Sequence, residues 1–181
     1  IGLNHALFLD ARGTLGSLKV PSEKLEFART AAGFRNSRLS VFGATQLGMA
    51  IANDGRIRPL HFQKLSNSYL GKRVFMTRTA KRIRKAMEVT IHSGTAKDSF
   101  VKKNGRGRLG FIQAAGKTGT LRLPHHKATS SWFIGLAPSK QPTVVISVLL
   151  QNPAKWHQKA HQVGRDLLLK YFSQQGIKGL K

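Results

Sequence analysis

The sequence predicts an α+β fold on three observations. Helix-period apolar patterning fills the segment before Gly110 and returns near the C-terminus. Three β-prone runs stand together after Gly110, separated only by short loops bearing Pro124, Pro138 and Pro142. No repeat or low-complexity linker interrupts the chain. Because short connections join neighbours in space, this implies helices, then three sequential antiparallel strands, then a C-terminal helix. The 181 residues suffice for a real core, and 1–181 is read as a single domain.

Taken in order, residues 1–15 are mixed, with an apolar patch at Ala6-Leu7-Phe8-Leu9. A short helix is expected from Pro21 to Ala28, since Glu23 and Glu26 lie near its N-terminal end. Residues 33–43 read as a loop, and 44–53 as a helix closed by Asn53-Asp54-Gly55. Pro59 stops any continuation. From Thr77 to His92, apolar Ala80, Ile83, Met87 and Ile91 recur at helical spacing, with Arg78, Lys81, Arg82, Arg84 and Lys85 on the remainder. Gly94 ends that helix, and 97–110 reads as a basic, glycine-containing loop. The expected strands are 111–115, 129–136 and 143–150. Asn152-Pro153 has the form of an N-cap followed by proline at the first helical position. Trp156, Ala160, Val163, Leu167 and Tyr171 then make one face of a helix ending before Gly176.

Charge is the outstanding bulk property: 31 Lys+Arg stand against 7 Asp+Glu, a net +24. Such a surface attracts polyanions, whether nucleic acid, anionic lipid or acidic wall polymers, unless the lysines are merely solvated. The chain has no cysteine, which excludes disulfides and cysteine-based metal sites. No apolar run approaches the length of a membrane span, and no signal peptide opens the chain. An opening Ile1 in place of Met predicts a processed or truncated product.

One stretch concentrates chemistry. An apolar run to Ala115 leads into Gly116-Lys117-Thr118-Gly119-Thr120, placed where the first strand ends or turns along an edge. Gly119 permits close approach of a ligand to the backbone, while two hydroxyls and an ammonium donate toward a carboxylate or developing oxyanion. A β-turn carrying a surface lysine would look the same in isolation. A nucleotide P-loop is excluded, because Phe111 stands where its first glycine belongs.

Context extends the reading. "AAGKTGT", then "SSWFIGLAP", "PTVVISVLL" and a terminal helix resemble the end of the penicillin-binding protein transpeptidase domain, a serine acyltransferase of β-lactamase-like fold. "FGATQLGMAIANDGRIRPL" and "MEVTIHSGTA" resemble the helical segments before it, so the resemblance covers 33–172. It implies that Lys117 and the Thr118 hydroxyl hold the substrate or β-lactam carboxylate and set local proton positions, Lys117 thereby acting in catalysis. It further implies that the Thr120 backbone N–H supplies half of an oxyanion hole and that Gly119 lets the acyl group approach. The family's S-x-x-K and S-x-N motifs lie upstream. Here the one S-x-x-K match, Ser99 to Lys102, falls between helix and strand and is read as chance, and S-x-N does not occur. The chain therefore reads as the C-terminal portion of the domain, without its nucleophilic serine.

Peptidoglycan D,D-transpeptidation is the implied reaction, with peptidoglycan stem peptides and β-lactams as partners. The expected location is extracytoplasmic, with any membrane anchor outside this chain. No cofactor or metal is expected. Anionic wall polymers or a membrane surface are expected to meet the positive charge, with non-specific polyanion binding and no specific nucleic acid. Rival readings are a basic nucleic-acid-binding module, a serine β-lactamase relative, and a non-catalytic homologue of the penicillin-binding proteins. Other candidates have plainer explanations. His125-His126 read as loop histidines, and the His157/His161 pair as solvated rather than metal-binding. Trp132 and Trp156 read as packing residues, and 102–108 as a solvated basic loop.

Overall fold

The computed structural model describes residues 6–8, 12–33, 35–58, 60, 71–123, 128–153 and 158–177. Their elements run β1 (Ala6–Phe8), β2 (Arg12–Thr14), β3 (Gly16–Leu18), α1 (Lys24–Ala31), β4 (Ser37–Leu39), α2 (Val41–Ala52), β5 (Arg56–Ile57) and β6 (Lys72–Arg73). They continue with α3 (Thr77–His92), α4 (Lys97–Phe100), β7 (Ala115–Leu123), β8 (Ala128–Ala137), β9 (Val144–Asn152) and α5 (Ala160–Gln174). The architecture is α+β: β7, β8 and β9 form an antiparallel sheet in sequence order, and α5 follows it. Three small two-stranded pairings, β1–β2, β3–β4 and β5–β6, lie before the sheet.

Strand alternation gives that sheet two apolar faces. Ala115, Leu136 and Val145 lie on one face, where Ile51 of α2 and Met87 of α3 cover them. Phe133 and Val148 lie on the other, covered by Ala160, Leu168 and Phe172 of α5. Phe133 is fully buried, and three glycines make room for its ring. A Cβ on Gly116 would fall 2.5 Å from two ring carbons, and Cβ atoms on Gly135 and Gly164 would also strike the ring. These glycines are fixed by close packing.

α3 has the bounds its sequence pattern predicts, and Ala80, Met87 and Ile91 are buried. Arg84 departs from that pattern. It is only 8% exposed, and its guanidinium donates to the carbonyls of Ile51 (3.0 Å) and Ala52 (3.2 Å). It also pairs with Asp54 at 2.9 Å. A cation thus satisfies the open carbonyl end of α2 and complements its dipole. Asp54 (φ 52) and Gly55 (φ 89) make the left-handed turn expected after α2.

Several expectations need correction. Residues 33–43 are not simply loop: Ser37–Leu39 pairs with β3, and α2 begins at Val41. Ser40 causes the earlier start, accepting from Gly43 N at 3.0 Å and donating to Thr14 O at 2.6 Å. The basic loop opens with the short helix α4 and closes on a Val101–Gly107 bridge. The C-terminal helix does not begin at Asn152-Pro153. Asn152 belongs to β9, and α5 starts at Ala160, whose N–H donates to Ser131 Oγ at 3.0 Å. Its buried face is Ala160, His161, Gly164, Leu168 and Phe172, one residue out of step with the expected Val163-Leu167-Tyr171. The reason is Gly164, the position that can lie against the Phe133 ring. Trp156 lies outside the described residues.

Candidate active site

The apolar run before Lys117 is not the strand that it imitates. Gly110 (φ 61) turns the chain, Ile112 N donates back to Leu109 O at 3.1 Å, and Phe111 stands 77% exposed. Ile112 and Ala114 are buried in irregular backbone, and the strand starts only at Ala115. Lys117-Thr118-Gly119-Thr120 therefore lies inside β7, neither at a strand end nor in a turn. It pairs in register with Ile134, Phe133, Trp132 and Ser131 of β8.

Among the described residues β7 is an edge strand. Alternate residues of an edge strand turn their N–H and C=O groups outward, away from the neighbouring strand. Alternation also separates the side chains: Lys117 falls on the face of Ala115, and Thr118 and Thr120 on the face of Phe133. Lys117 and Thr120 are exposed, while Thr118 and Gly119 are half-buried. The Lys117 ammonium reaches back to donate to the Thr118 carbonyl at 2.6 Å. An ammonium, a hydroxyl and outward backbone donors on one rim can receive a carboxylate or an oxyanion.

Thr95 is a neighbour that the sequence pattern did not single out. Its Oγ1 lies 2.6 Å from Thr118 Oγ1, and either hydroxyl can donate. It sits just past the end of α3, which packs along β7. If Thr95 donates, the Thr118 proton is left free; if Thr118 donates, it is held. This pairing depends on the docking of α3 against β7, so no local motif reveals it.

The remaining candidates fall elsewhere. Ser99 is buried in α4, and its carbonyl accepts from Arg165 at 3.3 Å. His161 corrects the expectation of a solvated histidine: it is 9% exposed on the inner face of α5. Burial holds its pKa below the ordinary 6.5, aided by Lys159 and Arg165 and opposed by Asp98. His125, His126 and His157 lie outside the described residues. Trp132 is half-buried on β8 beside Gly119. Among the described residues no three His, Asp or Glu side chains cluster as metal ligands would. A cleft of about 260 Å³ opens between the end of α3 and residues 100–114, but Lys117 and Thr118 do not line it.

The fold and this rim define an α+β domain whose antiparallel sheet carries a donor-rich outer edge. The chain belongs to the penicillin-binding protein transpeptidase domain family, whose model matches residues 1–169. "Probable peptidoglycan D,D-transpeptidase PenA" of Neisseria gonorrhoeae is 32% identical over 125 residues, 64% of this chain and 20% of that protein. The Neisseria flavescens protein of the same name is 30% identical over 140 residues, 72% of this chain and 32% of its own length. This chain thus spans a third or less of these relatives. Among solved structures, a peptidoglycan glycosyltransferase from Burkholderia ambifaria superposes with a TM-score of 0.78 at 25% identity, over 97% of this chain and 54% of that one. An acyl-enzyme complex of penicillin-binding protein A from M. tuberculosis shares the fold with a TM-score of 0.73 at 19% identity. It covers 92% of this chain and 40% of that one. Penicillin-binding transpeptidase domains act on the cell wall, outside the cytoplasm. Among the described residues no helix is long and apolar enough to cross a membrane.

Proposed function

We propose that residues 1–181 form one unit, the C-terminal part of a peptidoglycan D,D-transpeptidase domain working outside the cytoplasm. In this reading Lys117 and the Thr118 hydroxyl hold the terminal carboxylate of a D-Ala-D-Ala stem peptide or of a β-lactam. The Thr120 N–H donates to the oxyanion that forms when a serine outside this chain attacks the carbonyl. Collapse of that intermediate expels D-alanine and leaves an acyl ester, which the amine of a second stem resolves. Gly119 carries no side chain that would crowd the acyl group. The observation that carries the reading is the Thr95–Thr118 hydroxyl contact on an edge strand, next to a Lys117 whose exposed ammonium reaches back to the Thr118 carbonyl. Preorganised donors of this kind stabilise charge without reorganising at the moment of reaction. The net +24 charge adds non-specific attraction to anionic wall polymers or membrane surface.

Fluorescent penicillin tests the proposal. The full-length protein should give an adduct that survives denaturation, and the 181-residue chain should give none. An adduct mapped by mass spectrometry to a serine of this chain would contradict the assignment. No adduct on the full-length protein would leave a non-catalytic homologue as the better description.

A further inference from the structure

α3 carries more positive charge than its own fold requires. Arg78, Lys81, Arg82 and Lys85 are all exposed, and none forms an ion pair among the described residues. At helical spacing they make one stripe, about 10 Å from the first to the last. Each has two like-charged neighbours at i±3 or i±4, an arrangement that weakens a helix. Their position aggravates this. The N-terminus of α3 has no side-chain cap and no acid in its first turn, so cations sit at the positive end of the dipole. α1 shows the opposite treatment: Glu23 caps it, and Glu26 binds Arg29 and Arg35. Arg84 shows what α3 needs of its cations for folding, since it alone among them turns inward.

We propose that this stripe is a docking surface for a linear phosphate polymer that carries no bases. Phosphates laid along α3 would relieve the repulsion and complement the unmatched charge. Nucleic acid fits less well, because the other exposed residues of α3 are Thr79, Ala86, Val89 and His92. His92, the one ring among them, lies about two turns beyond Lys85, so no series of rings stands between the cations to stack on bases. A membrane also fits less well, because the apolar face of α3 is already buried against α2 and the sheet and is not free to insert. The helix that bears the stripe leads on to Thr95, whose hydroxyl meets Thr118 at the Lys117–Thr120 edge. This surface supplies the polyanion-binding part of the proposed function and does not depend on acyl transfer. A failure to react with penicillin would overturn that chemistry and leave this surface intact.

The test uses the 181-residue chain and long-chain sodium polyphosphate at 0.15 M salt. R78Q/K81Q/R82Q/K85Q is compared with a charge-matched control at four other exposed lysines, K19Q/K24Q/K140Q/K170Q. Polyphosphate should bind the parent and raise its Tm, while the stripe variant binds at least about tenfold more weakly and the control less than about threefold. Removing up to four contacts should lower the salt slope by about 3. The stripe variant alone should melt no lower than the parent, which separates lost binding from lost folding; K81Q/K85Q provides a milder check. No binding by the parent, or equal losses in stripe and control, would overturn the proposal. So would an equally charged single-stranded oligonucleotide or a phosphatidylglycerol vesicle bound tenfold more tightly than polyphosphate through the same residues.

Discussion

At the scale of single residues, Thr118 was legible and Thr95 was not. The tetrapeptide Lys117–Thr120 stands out by composition, whereas the hydroxyl facing Thr118 comes from beyond the end of another element. Thr95→Val in the full-length protein should slow penicillin acylation about two- to tenfold, the size of one hydrogen bond of ordinary net strength. Thr95→Ser should restore the rate. Equal rates for Val and Ser variants would separate Thr95 from the action of Thr118. Gly116 illustrates a different blind spot. Nothing in its neighbours marks it as a packing position, yet its requirement comes from the buried Phe133 ring. Gly116→Ala overpacks that contact and should cost about 1–3 kcal/mol in urea unfolding. An unchanged midpoint would mean that the ring moves aside freely.

Elements were legible where periodicity was strong and boundaries were punctuated. α3 matched because its apolar residues recur cleanly, and β8 and β9 because their largely apolar, β-prone runs lie between prolines. β7 was misplaced because buried irregular backbone, with Ile112 and Ala114 inside, is as apolar as a strand. The face of α5 slipped by one residue because glycine, the residue that decides its packing, carries no hydrophobic signal. That slip also hid His161. Its folded pKa lies below the ordinary 6.5, so the unfolded chain takes up the proton first as pH falls. Stability from this group is present above about 6.5 and declines on acidification until the folded pKa is reached. The 181-residue chain should therefore unfold more easily at pH 5 than at pH 7.5, and His161→Gln should flatten that dependence. The same slope in both proteins would assign it elsewhere.

For the whole molecule, composition gave the charge and the motif gave the family, and they pointed to different partners. Net +24 alone favours nucleic acid, but the edge strand bearing Lys117, Thr118 and Thr120 carries the donors we propose for small carboxylates. DNA or RNA binding by this chain should accordingly be non-specific and collapse with salt. A preferred sequence bound about a hundredfold above random competitor at 0.15 M salt would contradict that. The central claim concerns the donor-rich edge, and the penicillin acylation rate of the full-length protein tests it most directly. Thr118→Val keeps shape and strand propensity but removes the hydroxyl. Losing one charge-assisted hydrogen bond to a carboxylate costs about 1.5–3 kcal/mol, so the rate should fall about ten- to a hundredfold. Thr120→Val should cost less, because the backbone N–H assigned to the oxyanion stays in place. If Thr118→Val reacts as fast as the parent, the role assigned to this edge is wrong.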